Sequence, residues 1–537
     1  MHDTFSIYII LLLVILFLIM LAQKLKVSYP IVLVLGGLAL SFFPWLPEIK
    51  IDPDLIFVIF LPPLLYEAAW HTSWKEFWKW RRVISSFAFL IVILTSCVIA
   101  FVSSSLIPGF TLALGFLLGG IISPPDAVSA TSIMKQIKVP RRLVTIIEGE
   151  SLLNDAASLI VFRFAMAAVD SGEFVFKDAV FSFFVVIVMG IATGIAIAMV
   201  FYAIHRWLPV TANINTLFTL IAPYIMYIAA EQMHFSGVLS VVSGGLFLSI
   251  RSHRIFDHRS RLRTENVWSA LSFGLNGIVF MLIGLELPVI IAELGDTSLS
   301  EAIKYGLIIT GVLIIVRLLS TLGASAFTVV ISRFITTADN RPGWRGPLIF
   351  GWAGMRGVVS LAAALSIPVY LTNGQAFPQR NLILFITFIV ILVTLVFQGL
   401  TLPALVKWLK VEDRDETIPK ERQESIIQKK LAVAALKVLD GKYADAVNKD
   451  EILQSIKLKH SGNARLFEGR LAEHSIDRPI TDEEYRKIIA EVVLAQRELL
   501  HQLNRKQEID EEVIRKYNAI LDLEEENFSV RFSKNAD

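Results

Sequence analysis

Residues 148–155 read Glu-Gly-Glu-Ser-Leu-Leu-Asn-Asp and lie inside an apolar run, 143–169, long enough to cross a bilayer as one helix. Glu148, Glu150, Ser151, Asn154 and Asp155 therefore stand where hydrocarbon is normally required. A charge at that depth costs at least about 2.5 kcal/mol, and intramembrane ionisable groups as a rule mark an ion or proton path. On a helix turning about 100° per residue, with Glu150 at the origin, Asn154, Ser158, Ser151 and Asp155 fall at ~40°, ~80°, ~100° and ~140°. They share one face, while Leu152, Leu153, Ala156, Ala157 and Leu159 mostly cover the rest.

Ser151 and Asp155 are four residues apart and can hold one ligand between them. A small hard cation takes oxygen ligands: carboxylate, hydroxyl, carbonyl and water. Asp155 and Ser151 supply two of these for an ion such as Na+. The carbonyls near Ser123 supply more, because Pro124 and Pro125 remove two backbone donors in mid-run and free the carbonyls of the preceding turn. The carboxylate can instead take a proton, and burial favours the neutral form of an acid. Cation and proton then compete for one site, which is antiport in its simplest form.

Glu150 needs a partner of opposite sign, since a lone buried charge is strongly unfavourable. Arg356 stands within a late apolar run among Gly351, Gly354 and Gly357, which let another helix come close. The expected structural ion pair is Glu150 with Arg356. Arg163 lies about 12 Å beyond Asp155 along the axis and off the polar face, so a partner elsewhere in the bundle is expected. Glu67 follows Leu61-Pro62-Pro63-Leu64-Leu65-Tyr66 near a basic edge, and reads equally as a cation ligand or as an interfacial carboxylate. Asn276, Glu286, Arg317 and Glu231 read as packing or interfacial polar groups. Glu148 is left without a role.

The elements that must position these groups are membrane spans. The chain has 537 residues, 55% hydrophobic and 18% charged, against about 25% charged in a soluble domain. Thirteen spans are expected: 5–22, 29–46, 51–70, 83–106, 111–134, 141–169, 175–205, 213–231, 236–250, 266–290, 300–332, 346–370 and 380–409. The first has no Lys or Arg before it and no small-residue cleavage pattern after it, so it reads as a membrane helix rather than a signal peptide. Alternate connections carry Lys24 and Lys26; Lys75, Lys79, Arg81 and Arg82; Lys135, Lys138, Arg141 and Arg142; Arg206; Arg251, Arg254, Arg259, Arg261 and Arg263; and Arg333, Arg341 and Arg345. The remaining connections carry little beyond Lys50, Lys177, Lys304 and Arg380, a contrast of 19 to 4 that puts the N-terminus outside and the tail in the cytoplasm. Trp70, Trp74, Trp78 and Trp80 read as an interfacial belt at that basic edge.

Spans five and twelve carry breakers, at Ser123-Pro124-Pro125-Asp126 and around Arg356. Broken helices in corresponding places of two halves point to a transporter site. The two breaks are seven spans apart, an odd number, so spans 1–6 and 8–13 form an inverted repeat with span seven as the connector. From Val411 onward the chain holds 22 Lys and Arg against 27 Asp and Glu, with helical periodicity at 426–438 and 483–523. The fold expected is all-α and polytopic, a membrane domain over 1–410 followed by a small helical cytoplasmic domain over 411–537. The single Cys97 excludes an intramolecular disulfide. Ser151 sits in Gly-Glu-Ser-Leu-Leu rather than a Gly-x-Ser-x-Gly elbow, with no mid-membrane His as base, which argues against a hydrolase. A channel or a carrier for another solute is the remaining alternative. No enzyme activity, cofactor or nucleic-acid partner is expected; the partners are the bilayer, H+ and the cation.

Gly149-Glu150-Ser151-Leu152-Leu153-Asn154-Asp155, Gly354-Met355-Arg356-Gly357 and the run ending at Glu67 together resemble the Na+/H+ exchanger branch of the monovalent cation:proton antiporters, bacterial type. The resemblance covers roughly 1–410, and its Asn-Asp pair is that of the electroneutral branch. It implies a homodimer with elevator-type alternating access, a core from spans 4–6 and 11–13, and a dimerisation domain from spans 1–3 and 8–10. It implies that Asp155 binds cation or proton, that Ser151 is a cation ligand and that Asn154 orders water or the carboxylate. It also implies that Glu150 pairs with Arg356 and that Glu67 serves cation access. The family's broken fifth span usually reads Asp-Pro after a small residue; here the break is Ser123-Pro124-Pro125 with the acid two places later, at Asp126. Whether Ser123 or Asp126 takes the ligand role stays open, as does the choice among Na+, K+ and Li+.

Overall fold

A computed structural model describes residues 2–43, 57–134, 137, 139–172, 176–292, 294, 297–333, 339, 343–411, 418, 420–472, 482–503 and 511–532. The ends of expected spans two and three at 44–46 and 51–56, and Lys50, Lys135, Lys138 and Arg341 of the charge alternation, lie outside the described residues. The chain divides into two compact units, Met1–Asp413 and Arg414–Asp537. Among the described residues the only strand-like pairing is an isolated bridge between Tyr370 and Ala376.

In the first unit the helices are α1 (His2–Leu25), α2 (Tyr29–Ser41), α3 (Leu61–His71), α4 (Trp74–Leu106), α5 (Leu112–Ile122), α6 (Ala127–Met134), α7 (Arg141–Ser171), α8 (Phe176–Trp207) and α9 (Ala212–Gln232). They continue as α10 (Gly237–Ile255), α11 (His258–Leu285), α12 (Leu287–Ala292), α13 (Leu299–Ile331), α14 (Arg345–Trp352), α15 (Val358–Leu365) and α16 (Arg380–Leu409). Among the described residues helix thus occupies each stretch read as a span, and eight helices there are long and apolar enough by themselves to cross a membrane. The chain is an all-helical, multi-pass membrane protein. Helix α8 leaves Phe181, Phe184 and Val188 largely exposed, as a helix facing hydrocarbon does. The tryptophan belt is only partly superficial: Trp74 and Trp78 stack in the open, whereas Trp80 is buried.

Local chemistry sets the helix ends. Thr111, Thr211, Ser236 and Ser298 each accept a hydrogen bond from a backbone N–H of the first turn that follows, at the heads of α5, α9, α10 and α13. Asp257 does the same for α11 by accepting from Ser260 N at 2.9 Å. The Ser260 bonds hold its carboxyl below the ordinary carboxylate range, so this cap persists at neutral pH and is lost as pH falls through that lowered value. Helix α7 ends where Gly172 turns left-handed at φ +73°.

Two helices are interrupted. Helix α5 stops at Ile122 and α6 begins at Ala127, with the two prolines between; α14 stops at Trp352 and α15 begins at Val358. Both interruptions abut α7. On α5, Gly119 and Gly120 allow close packing just before its break: a Cβ on Gly119 would stand 2.6 Å from the Ser96 carbonyl of α4, and one on Gly120 3.0 Å from Phe162 N of α7. The apolar core that surrounds the interruptions draws on α2, α5, α11, α15 and α16.

The second unit holds α17 (Lys420–Gly441), α18 (Ala444–Lys449), α19 (Glu451–Ala472), α20 (Asp482–Leu503) and α21 (Glu511–Phe532). Lys429 pairs with Glu468 at 2.8 Å and Lys457 with Asp440 at 2.7 Å, joining α17 to α19. Arg497 of α20 bridges to Asp522 and Glu525 of α21. The periodic stretches 426–438 and 483–523 fall on α17 and on α20 with α21; α19 had no comparable signal in the sequence.

Candidate site where two broken helices cross

The centre of the membrane unit is built from backbone that helices have released. Asp126 N donates to Met355 O at 2.7 Å, so the two interruptions touch main chain to main chain. Gly357 stands at the contact, and a Cβ there would lie 2.6 Å from Asp126 Oδ2. Arg356, fully buried, donates from Nε to Ile122 O at 2.8 Å, from Nη2 to Ser123 O at 3.1 Å, and from Nη1 to Gly354 O. Its own N–H donates to Thr394 Oγ1 of α16 at 3.1 Å. One guanidinium thus serves the carbonyls left over at both breaks, where each would otherwise be a buried orphan.

Helix α7 is laced onto the same place. Asn154 Nδ2 donates to Pro125 O at 2.9 Å, Ser158 Oγ donates to Gly120 O at 2.8 Å, and Ser151 Oγ accepts from Ala127 N at 3.3 Å. The face drawn through Asn154, Ser151, Ser158 and Asp155 therefore meets the broken α5–α6 element. Asp155 is buried, and Asp126 is close enough to act on its charge. Asn154 Oδ1 is buried without a hydrogen-bond partner, an acceptor left open beside these groups.

Asp126 has a structural task as well. Its carboxylate accepts from Val128 N at 3.1 Å, Ser129 N at 3.3 Å and Ser129 Oγ at 2.7 Å, capping α6. Ser123 is partly spent: its carbonyl accepts from Arg356 and its hydroxyl accepts from Ser96 Oγ at 3.0 Å. Glu67 lies on α3, 3.6 Å from His71 Nε2. Tyr29, which nothing in the sequence singled out, lies at the head of α2 within electrostatic reach of both Asp126 and Glu67.

The expected pairing of Glu150 with Arg356 is not what the structure holds. Glu150 pairs with Arg317 of α13: Nη2 donates to Oε2 at 2.6 Å and Nη1 approaches Oε1 at 2.6 Å, with both side chains almost fully buried. The second contact is an ion contact without hydrogen-bond alignment, which leaves Oε1 and Nη1 unsatisfied as hydrogen-bonding atoms. Arg356 remains within electrostatic reach of Glu150, but its donors have gone to freed carbonyls. The physical reason is that breaking two helices creates more orphan acceptors than one carboxylate offers, while α13 carries a second cation at the depth of Glu150. The signal was present: Arg317 stands in mid-span, as costly there as Arg356. Arg163 finds its partner elsewhere, in an ion pair with Glu231, whose other oxygen accepts from Gly237 N at 3.0 Å. Among the described residues no group of three or more His, Cys, Asp or Glu side chains is set to hold a resident metal ion.

Two interrupted helices crossing at a carboxylate buried in the membrane define a secondary transporter. The sequence model of the sodium/hydrogen exchanger transmembrane family matches residues 9–408, so the chain belongs to that family. It is a cation:proton antiporter and not an enzyme. It is 30% identical over 497 residues to the sodium, potassium, lithium and rubidium/H+ antiporter of Bacillus subtilis, spanning 90% of this chain and 72% of that relative. It is 33% identical over 386 residues to the low-affinity Na+/H+ antiporter NhaS1 of Synechocystis, spanning 72% of this chain and 70% of the relative. The sodium proton antiporter MjNhaP1 of Methanocaldococcus jannaschii shares the fold, with a TM-score of 0.59 at 18% identity over 77% of this chain and all of that one.

Proposed function

We propose that Asp155 is the carrier of this antiporter, alternately binding a monovalent cation and a proton. The observation that carries the reading is the crossing itself. It sets Asp126 within reach of the Asp155 charge and ties Ser151 and Asn154 to the broken backbone. Ser151 Oγ, the free Oδ1 of Asn154, Asp126 and the second lone pair of the Ser123 carbonyl complete an oxygen shell suited to a small hard cation. Glu67 serves cation access from the basic side. Glu150 with Arg317 is the brace of the site, and Arg356 is the clamp that keeps both helices open.

The cation is Na+, with K+ and Li+ as further substrates; the range printed for the Bacillus relative supports a broad choice. Exchange is electroneutral, one carboxylate handling one charge in each direction, and serves pH and cation homeostasis. The membrane domain runs over 1–410 with thirteen crossings in two inverted halves and the N-terminus outside. The helical tail, 411–537, lies in the cytoplasm, and the protein works as a homodimer in the plasma membrane without a cofactor. The alternation of Lys and Arg between connections supports the orientation, and the paired breaks seven spans apart support the repeat.

The deciding experiment is exchange in proteoliposomes, followed with a pH dye and titrated with each cation over a pH series. Asp155→Asn is expected to fold and to show no cation-dependent proton flux. Full exchange by that variant removes Asp155 from the centre of the mechanism.

A further inference from the structure

Thr387, Thr394 and Gln398 of α16 stand seven and four residues apart, which returns the helix to the same face. All three are wholly buried. Thr394 is fully used: its Oγ1 accepts from Arg356 N and donates to Val390 O at 2.7 Å. Thr387 Oγ1 and both amide atoms of Gln398 have no hydrogen-bond partner. A buried polar group left unpaired costs about 1–3 kcal/mol, and a leucine would fill much the same volume as Gln398 without that cost. The backbone at this point is a π-turn, Thr394–Gln398, a form that occurs mostly as a local bulge and often at functional sites.

Gly399 shows how the backbone beside Gln398 packs. A Cβ on Gly399 would lie 2.8 Å from Ile31 Cδ1 and 3.4 Å from Ile133 Cδ1. Gly399 thus packs in the corner where α16 meets the beginning of α2 and the end of α6, and Gln398 stands between it and Thr394, which holds Arg356 N at the crossing. Helix α2 opens with Tyr29, within electrostatic reach of Asp126 and Glu67, and α6 begins directly after its cap, Asp126. Helix α6 leads from this corner to the crossing, and Ser28 and Ser132 close the corner with a 2.7 Å hydrogen bond. Lys24 and Lys26 mark this as the basic side.

We propose that Gln398 is a coordination point on the ion route between the basic side and the crossing, its amide oxygen taking one place around the monovalent cation as water is shed. An amide oxygen is a hard neutral ligand. It can exchange with water without trapping the ion as a second carboxylate would, and Nε2 is free to donate to the water that remains. The proposal rests on the antiport reading with Asp155 as carrier, and its test reads something different from that one.

Gln398→Leu in proteoliposomes is expected to raise the KM for Na+ about tenfold, the loss of one ligand contact, while the melting temperature holds or rises. An unchanged KM and rate overturn the proposal, because a merely structural amide would show only the gain in stability. Asp155→Asn, run beside it, reports on the carrier: full exchange there sinks the carrier reading and leaves the Gln398 measurement standing. Should Gln398→Leu fail to fold, Gln398→Cys in a Cys97→Ala background places the only thiol of the chain at this position. A charged, membrane-impermeant thiol reagent is expected to react there, and Na+ to slow the reaction relative to choline. No labelling, or labelling that Na+ leaves unchanged and that marks a water-filled space only, overturns the cation role.

Discussion

At the scale of single residues, the site separates binding from bracing. Asp155 and Asn154 Oδ1 are left available, while Arg356 and the pair of Glu150 with Arg317 are committed to holding backbone and charge in place. Removing one member of a buried pair strands the other, at about 3–5 kcal/mol, whereas replacing both by apolar groups is far milder. Arg317→Ala is therefore expected to lower the melting temperature in detergent strongly, and Glu150→Leu with Arg317→Met to recover much of the loss. Equal melting temperatures for Arg317→Ala and the parent protein would show that the pair does not brace the site. The buried hydroxyl and amides at Thr387, Asn154 and Gln398 tell the opposite story, since each is polar with bonding capacity unspent.

At the scale of elements, the crossing depends on close approach. The carboxylate of Asp126 is fixed by three hydrogen bonds at the head of α6, so it cannot yield to a new methyl group on Gly357. Gly357→Ala is expected to push the two breaks apart and abolish exchange. Gly323→Ala on α13, where nothing lies within 4 Å, is expected to leave transport intact and to gain a few tenths to about 1 kcal/mol of helix stability. Transport rates for the two variants, measured at matched protein amounts, check this; parental exchange by Gly357→Ala would mean that the approach of the breaks is not needed. The breaks were readable as sequence because proline and glycine act locally. That Asp126 would become a cap, with its backbone N–H bonded to Met355 O, was not, because that bond joins residues far apart in the chain.

At the scale of the membrane unit, two polar contacts join the helices assigned to the core with those assigned to the dimerisation domain. Ser28 with Ser132 lies on the basic side, and Arg163 with Glu231 lies beyond Asp155 on the other. The elevator motion that the family resemblance implies would break such contacts in every cycle. Ser28→Cys with Ser132→Cys, in a Cys97→Ala background, is expected to form a disulfide that stops exchange and releases it on reduction. Undiminished exchange with complete cross-linking would rule out sliding at this boundary.

The sequence by itself determined where the helices lie, where two of them break, which face of α7 is polar and, through the motif ending at Asp155, the family of transporter. Those properties follow from hydropathy, from proline and glycine, and from helical spacing, all of which act over one or two turns. Tertiary structure alone decided the partners. Glu150 went to Arg317 rather than Arg356, Arg356 went to the freed carbonyls of Ile122 and Ser123, and Gln398 was buried with nothing to bond. Depth in a membrane can be counted along a sequence, but which helix stands beside which, and how each is rotated, is settled only by packing.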